Sequence, residues 1–195
     1  MKKIAVFASG TGSNFSAIID AVHAGQLAVD VKVLICDRPH AKVIEKAKAN
    51  GIPTFTFTPK QFEGKQAYEQ EILRELKAKN VEFIALAGYM RLVGETLLKA
   101  YEGKIVNIHP SLLPAFPGKD AIGQAFQARV KVTGVTIHFV DEGMDTGPII
   151  AQEAVKIDEQ DKIEDVTKKI QTVEHQLYPK VLKELLEDKR LINQV

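Results

Sequence analysis

The sequence predicts an α/β fold with a mostly parallel central sheet, and three observations carry that expectation. Short apolar runs of strand length alternate with longer segments of helical period along the whole chain. A turn with two glycines, Gly10-Thr11-Gly12-Ser13-Asn14, joins the first apolar run to the first helical segment. No stretch reads as a linker or a repeat, so the 195 residues are expected to form one domain, 1–195, large enough to bury a core without disulfides or metal.

Residues 4–8 are wholly apolar and read as a buried strand, followed by a helix over 14–24. A second strand over 31–36 leads to a helix over 41–50, which Gly51 closes because glycine accepts the left-handed conformation at a helix end. Residues 53–57 read as extended. Tyr68, Ile72 and Leu76 recur every four residues and place one stripe on a helix over 66–79; the apolar-rich strand 81–87 follows and stops at Gly88. A short helix near 95–101 precedes a strand over 104–108, and a helix near 121–130 precedes two strands, 134–140 and 149–157. In the last helix, 163–187, Val166, Ile170, Val173, Leu177 and Val181 form the expected buried stripe. Gln171 and Glu174 each follow a stripe residue and are expected along one edge, and Pro179 predicts a kink.

Composition excludes several classes. With 26 Lys+Arg against 25 Asp+Glu and a net charge of +1, nothing marks an extended nucleic-acid or membrane surface, so small-molecule partners are expected, with the protein a monomer or homodimer. Cys36 is the only cysteine, which rules out an intrachain disulfide and fits a reducing, cytoplasmic setting. No Cys/His set has metal-ligand spacing. The start, Met1-Lys2-Lys3 and five apolar residues, is too short for a secretory signal.

The chemistry concentrates in Asn107-Ile108-His109-Pro110 and in Asp145. An amide donor, an imidazole and a carboxylate are equipment for acyl transfer: imidazole titrates near neutrality, a neighbouring carboxylate favours its charged form, and amide N–H groups stabilise an oxyanion. Pro110 biases His109 toward an extended conformation, at the carboxyl end of a strand where open α/β sheets place ligands. Gly10 to Asn14 suit a phosphate at a helix N-terminus or, equally, a tight strand-to-helix turn. The Lys-Ser/Thr ending of a P-loop is absent, and Phe15 occupies the position of the third glycine of a dinucleotide fingerprint. His138, between Ile137 and Phe139, reads as a hydrogen-bonded supporting or packing histidine, and Cys36 as buried and inert.

Asn107, His109, Ser111-Leu112-Leu113-Pro114 and Asp145 together resemble the signature of the formyltransferase family that uses 10-formyltetrahydrofolate, and the resemblance runs nearly end to end. It implies a Rossmann-like three-layer formyltransferase fold, with ribonucleotide phosphate bound by the N-terminal part and folate binding and catalysis in the C-terminal part. It also implies 10-formyltetrahydrofolate as co-substrate, no metal, and glycinamide ribonucleotide as acceptor in purine synthesis. By the same resemblance Gly12, Ser13 and Asn14 hold the phosphate, and Gln171 and Glu174 bind the acceptor, the carboxylate facing its amino group. Met90, Arg91, Leu92 and Val93, with Asn107, pack on the folate; backbone groups of Val140, Asp141, Glu142, Gly143, Met144 and Asp145 read the pterin edge; Asn107, His109 and Asp145 are catalytic. Two positions depart from the pattern. Lys65 stands where relatives often have arginine near the folate tail, keeping the cation but losing the bidentate fork. After Pro117-Gly118 many relatives have a histidine near the catalytic carboxylate, whereas this chain has Lys119-Asp120, so Asp120 or water is expected to supply that contact. A transferase acting on charged tRNA, a formyl-folate hydrolase and a non-catalytic nucleotide-binding module are the alternatives; the first would want a basic surplus, and the last needs none of Asn107, His109 and Asp145.

Overall fold

The structure, a computed structural model, describes residues 1–187. The chain runs β1 (Lys2–Phe7), α1 (Ser13–His23), β2 (Val29–Cys36), α2 (Lys42–Ala49), β3 (Thr54–Thr56), α3 (Lys65–Ala78) and β4 (Phe83–Leu86). It continues through α4 (Glu95–Ala100), β5 (Ile105–His109), α5 (Ala121–Gln127), β6 (Val132–Phe139), β7 (Ile149–Lys156) and α6 (Ile163–Glu187). The strands form one sheet in the order β3-β2-β1-β4-β5-β6-β7. Neighbours from β3 to β5 are parallel, while β6 and β7 are added antiparallel. The mostly parallel sheet expected from the sequence is therefore present, with its topological switch between β1 and β4.

The two-residue period of the strands divides the core into layers. Ile4, Val6 and Ala8 of the first run face one side with Leu34, Phe83, Val106, Val135 and Ile137, against α1, α2 and α6. Ala5 and Phe7 face the other side with Val33, Ile35, Ile84 and Ile105, against α3 and α4. Toward β5, β6 and β7 this second face changes character. Asn107 and His109 alternate with Val106 and Ile108; Thr136 and His138 alternate with Val135, Ile137 and Phe139. The register sets Asn107 opposite His138, His109 opposite Thr136, and Thr136 opposite Gln152. One sheet face thus passes from an apolar floor to a polar strip.

The last helix corrects the sequence expectation by one register. Its buried residues are Val166, Ile170, Glu174, Tyr178, Val181, Leu182 and Leu185, while Val173 and Leu177 are only partly buried. Glu174 lies inside the stripe and not along its edge. The series 166, 170, 174, 178 follows the helical pitch, and Tyr178 anchors it by donating its hydroxyl to the carbonyls of Leu86 (2.8 Å) and Val106 (3.3 Å). Pro179 lies within the helix, which continues to Glu187. Among the described residues no helix is long and apolar enough to cross a membrane.

Candidate active site

Three loops leave the carboxyl ends of β1, β4 and β5, which are neighbours in the sheet. The first follows β1. Gly12 precedes α1 with φ 73°, and a β-carbon there would come within 2.5 Å of Val43 Cγ2, so both the conformation and the packing against α2 demand glycine. No side chain caps α1, leaving the first amides of the helix at Ser13 and Asn14 open toward the loop. Lys46 reaches the same loop and donates to the Gly12 carbonyl at 3.3 Å. Asn14 is buried with an unpartnered Oδ1, and it is a neighbour of the buried Glu174. Burial pushes the Glu174 carboxyl up to about 7, with the Asn14 contact pulling in the other direction.

The polar strip holds the second group. His109 Nε2 lies 2.9 Å from the Phe116 carbonyl and so carries a hydrogen donated to it, while Nδ1 faces Asp145 Oδ2 at 3.5 Å. Both ring nitrogens therefore face acceptors, and a doubly protonated ring satisfies both. Asp145 also accepts from the Gly118 amide at 2.8 Å, and its Oδ1 is 3.8 Å from His138 Nε2. His138 Nδ1 donates to the Phe139 carbonyl at 2.7 Å, which leaves Nε2 as the acceptor for Asn107 Nδ2 at 3.2 Å. Burial lowers the His138 pKa and keeps that ring neutral, as the acceptor role requires. His138 thereby fixes which end of the Asn107 amide is the nitrogen and leaves its second N–H free.

Because β6 runs opposite to β5, its end at Phe139 pairs with Val106, far from His109. The following loop must fold back across the strip to bring Asp145 to His109. Gly147 permits the return: a β-carbon there would sit 1.8 Å from the Phe139 carbonyl oxygen. Asp145 itself has φ 56°, and Asp141 staples the loop by accepting from Gly143 N (3.0 Å) and Thr146 Oγ1 (2.7 Å). The His109 to Phe116 turn is braced from below. Thr136 Oγ1 accepts from Leu113 N (3.0 Å) and donates to the Ser111 carbonyl (2.7 Å), and Gln152 donates to the Leu113 carbonyl (2.9 Å).

The third loop follows β4. Met90 and Leu92 are exposed, Arg91 Nε pairs with Asp37 Oδ2 at 2.9 Å, and Lys65 Nζ donates to the Leu92 carbonyl at 2.9 Å.

A formyl transferase family model matches residues 2–182. The chain belongs to the formyl transferase family. Among its relatives, a phosphoribosylglycinamide formyltransferase of Bacillus subtilis (strain 168) is 60% identical over 186 residues, covering 95% of each chain. A crystal structure of phosphoribosylglycinamide formyltransferase from Bacillus halodurans superposes with a TM-score of 0.94 at 61% identity, covering 96% of each chain. That of glycinamide ribonucleotide transformylase 1 from Geobacillus kaustophilus gives 0.93 at 63% identity, over 95% of this chain and 99% of that one. The Rossmann-like three-layer formyltransferase fold expected from the sequence is the fold present.

This formyl transferase brings Asn107, His109 and Asp145 together, and Gly12, Ser13 and Asn14 with Glu174. Four expected positions are arranged differently. Val93 is 3% exposed and belongs to the core against α3 and α4, so the apolar surface of that loop is Met90 and Leu92. The guanidinium of Arg91 and the ammonium of Lys65 are each paired with another group of the chain, Asp37 and the Leu92 carbonyl. Asp120, with φ 53°, turns its carboxylate to cap α5 by accepting from Gly123 N, and the third contact to Asp145 comes from the Gly118 amide. Ser9, Asp37 and Thr136 were not singled out in the sequence; their signal is a polar residue within or just beyond an apolar strand run.

Proposed function

We propose that the chain transfers the formyl group of 10-formyltetrahydrofolate to the amine of glycinamide ribonucleotide, N1-(5-phospho-D-ribosyl)glycinamide. The products are the formylated ribonucleotide and tetrahydrofolate, and the step belongs to de novo purine (IMP) biosynthesis in the cytoplasm. The observation that carries this reading is the Asn107–His138 and His109–Asp145 arrangement on one polar sheet face, in a chain 60% identical to a relative bearing that activity's name.

The amine attacks the formyl carbon directly, with no covalent enzyme intermediate. A C–N bond forms as the carbonyl electron pair moves to oxygen, and the oxyanion receives the free N–H of Asn107 and the Nε2–H of His109 that otherwise rests on Phe116. Asp145 holds the ring through Nδ1. Collapse breaks the bond to folate N10, and the proton lost by the amine reaches N10 through water. The ribonucleotide phosphate sits on the amides of Gly12, Ser13 and Asn14, while Gln171 and Glu174 bind the rest of the acceptor. Met90 and Leu92 pack on the pterin, and the backbone of 140–145 reads its edge.

Absorbance-monitored release of tetrahydrofolate, with and without glycinamide ribonucleotide, tests the proposal. Release only with the ribonucleotide supports the transferase. Release without it makes the chain a hydrolase, and tight ribonucleotide binding with no release makes it a binding module.

A further inference from the structure

The backbone of residues 88–94 is held largely by polar side chains from other elements. Ser9, just past β1, accepts from the Met90 amide at 2.9 Å and donates its hydroxyl to Asp37 Oδ1. Asp37, just past β2, uses its other oxygen for Arg91 Nε at 2.9 Å. From α3, Lys65 holds the Leu92 carbonyl and Glu69 accepts from the Gly94 amide at 2.6 Å. The Ser9 amide in turn donates to the Gly88 carbonyl at 3.0 Å.

Asp37 is the unusual member. Its side chain is 1% exposed, whereas Arg91, its ionic partner, is 42% exposed. A carboxylate so deeply placed is costly unless both oxygens are engaged, and here both lead to the same segment: one to the Arg91 side chain, the other through the Ser9 hydroxyl to the Met90 amide. Neither oxygen serves a strand ladder. The surface this fixes is the one where Met90 and Leu92 stand exposed.

We infer that Asp37 is a positioning residue for the folate co-substrate, setting the 90–93 segment through Arg91 and Ser9 so that its apolar side chains and backbone meet the pterin. The inference rests on the proposed folate role of that segment. It also means that Arg91 answers to an internal anion first, and not to a carboxylate of the ligand.

The test compares Asp37→Asn, Arg91→Ala and the double variant in steady-state assays, with calorimetric binding of tetrahydrofolate as a readout independent of turnover. A lost charged hydrogen bond corresponds to about 10- to 100-fold in affinity. Asp37→Asn is expected to raise the folate KM and the tetrahydrofolate Kd by that factor, with the ribonucleotide KM within about twofold of the parent. The double variant is expected to be no worse than the weaker single one, since both break one linkage. If Asp37→Asn does not fold, Ser9→Ala is expected to show the same split at smaller size. A parental folate KM in a folded Asp37→Asn or Ser9→Ala chain, or equal rises in both KM values, overturns the inference. A parental chain that binds tetrahydrofolate but transfers nothing overturns the proposed reaction instead, and the binding comparison still decides the role of Asp37.

Discussion

Glu174 offers a stability measurement whose sign follows from its burial. The residue is 7% exposed on the inner face of α6, and burial raises its carboxyl from the ordinary 4.5 to about 7. Between those values the folded chain keeps a proton that the unfolded chain releases, so stability falls as pH rises. The contribution of the neutral group is fully present below about 4.5 and is lost as pH passes through about 7. The difference of about 2.5, at about 1.4 kcal/mol for each pH unit, amounts to ~3 kcal/mol. Glu174→Gln keeps the shape and cannot ionise. Urea unfolding of both proteins at intervals from about pH 4 to pH 8 should give a difference curve in which the parent loses ~3 kcal/mol relative to the variant, most of it between about 4.5 and 7. Other shifted groups, Glu69 and His138 among them, are common to both proteins and largely cancel. A difference curve flat across that window, or rising with pH, would refute the argument that Glu174 is held neutral by burial.

Further outcomes are expected elsewhere in the site. His109→Ala and Asp145→Asn should each lower kcat about 100- to 1000-fold in stopped-time assays while leaving far-ultraviolet circular dichroism unchanged. Replacing His138 with Phe should lower kcat about tenfold with little change in either KM, because the Asn107 amide loses the acceptor that orients it. Gly12→Ala forces a left-handed conformation on a residue with a β-carbon that collides with Val43, and should raise the ribonucleotide KM at least about tenfold. Tyr178→Phe removes the donor for the Leu86 and Val106 carbonyls and should cost about 1–3 kcal/mol in urea unfolding, with kcat retained.

Strand and helix order was legible because β1, β4 and the second half of β2 are short apolar runs between helical periods, as burial on both faces demands, whereas the edge strand β3, Thr54–Thr56, is not buried and reads only as extended. The direction of β6 was less so: an antiparallel addition looks like another apolar run until its partner is known. His138 shows what alternation could have yielded. Val135, Ile137 and Phe139 fix the apolar face, so Thr136 and His138 must share the opposite face, as Asn107 and His109 do beside Val106 and Ile108. Glu174 was misplaced because 166, 170, 173, 177 and 166, 170, 174, 178 both fit a period of 3.6, and the wholly apolar series is the one that packs less deeply: Tyr178 is buried, whereas Val173 and Leu177 are only partly so. Ser9 and Asp37 come together from positions 28 apart through the β1–β2 register, and a local pattern carries no such pairing.

The division of labour between the two sheet faces has a metric consequence. Glu174, Asn14 and the α1 N-terminus belong to the side of α1 and α6, whereas Asn107, His109 and His138 lie on the opposite face of β5 and β6. On the proposed reading, an acceptor whose phosphate sits at the α1 N-terminus must extend over the rim of the sheet to present its amine on the second side. The distance between those two groups in the acceptor would then act as a ruler. A phosphorylated amine of shorter reach would occupy the anchor and leave its nitrogen short of the formyl carbon, so that acceptors would be selected by length as well as by contact.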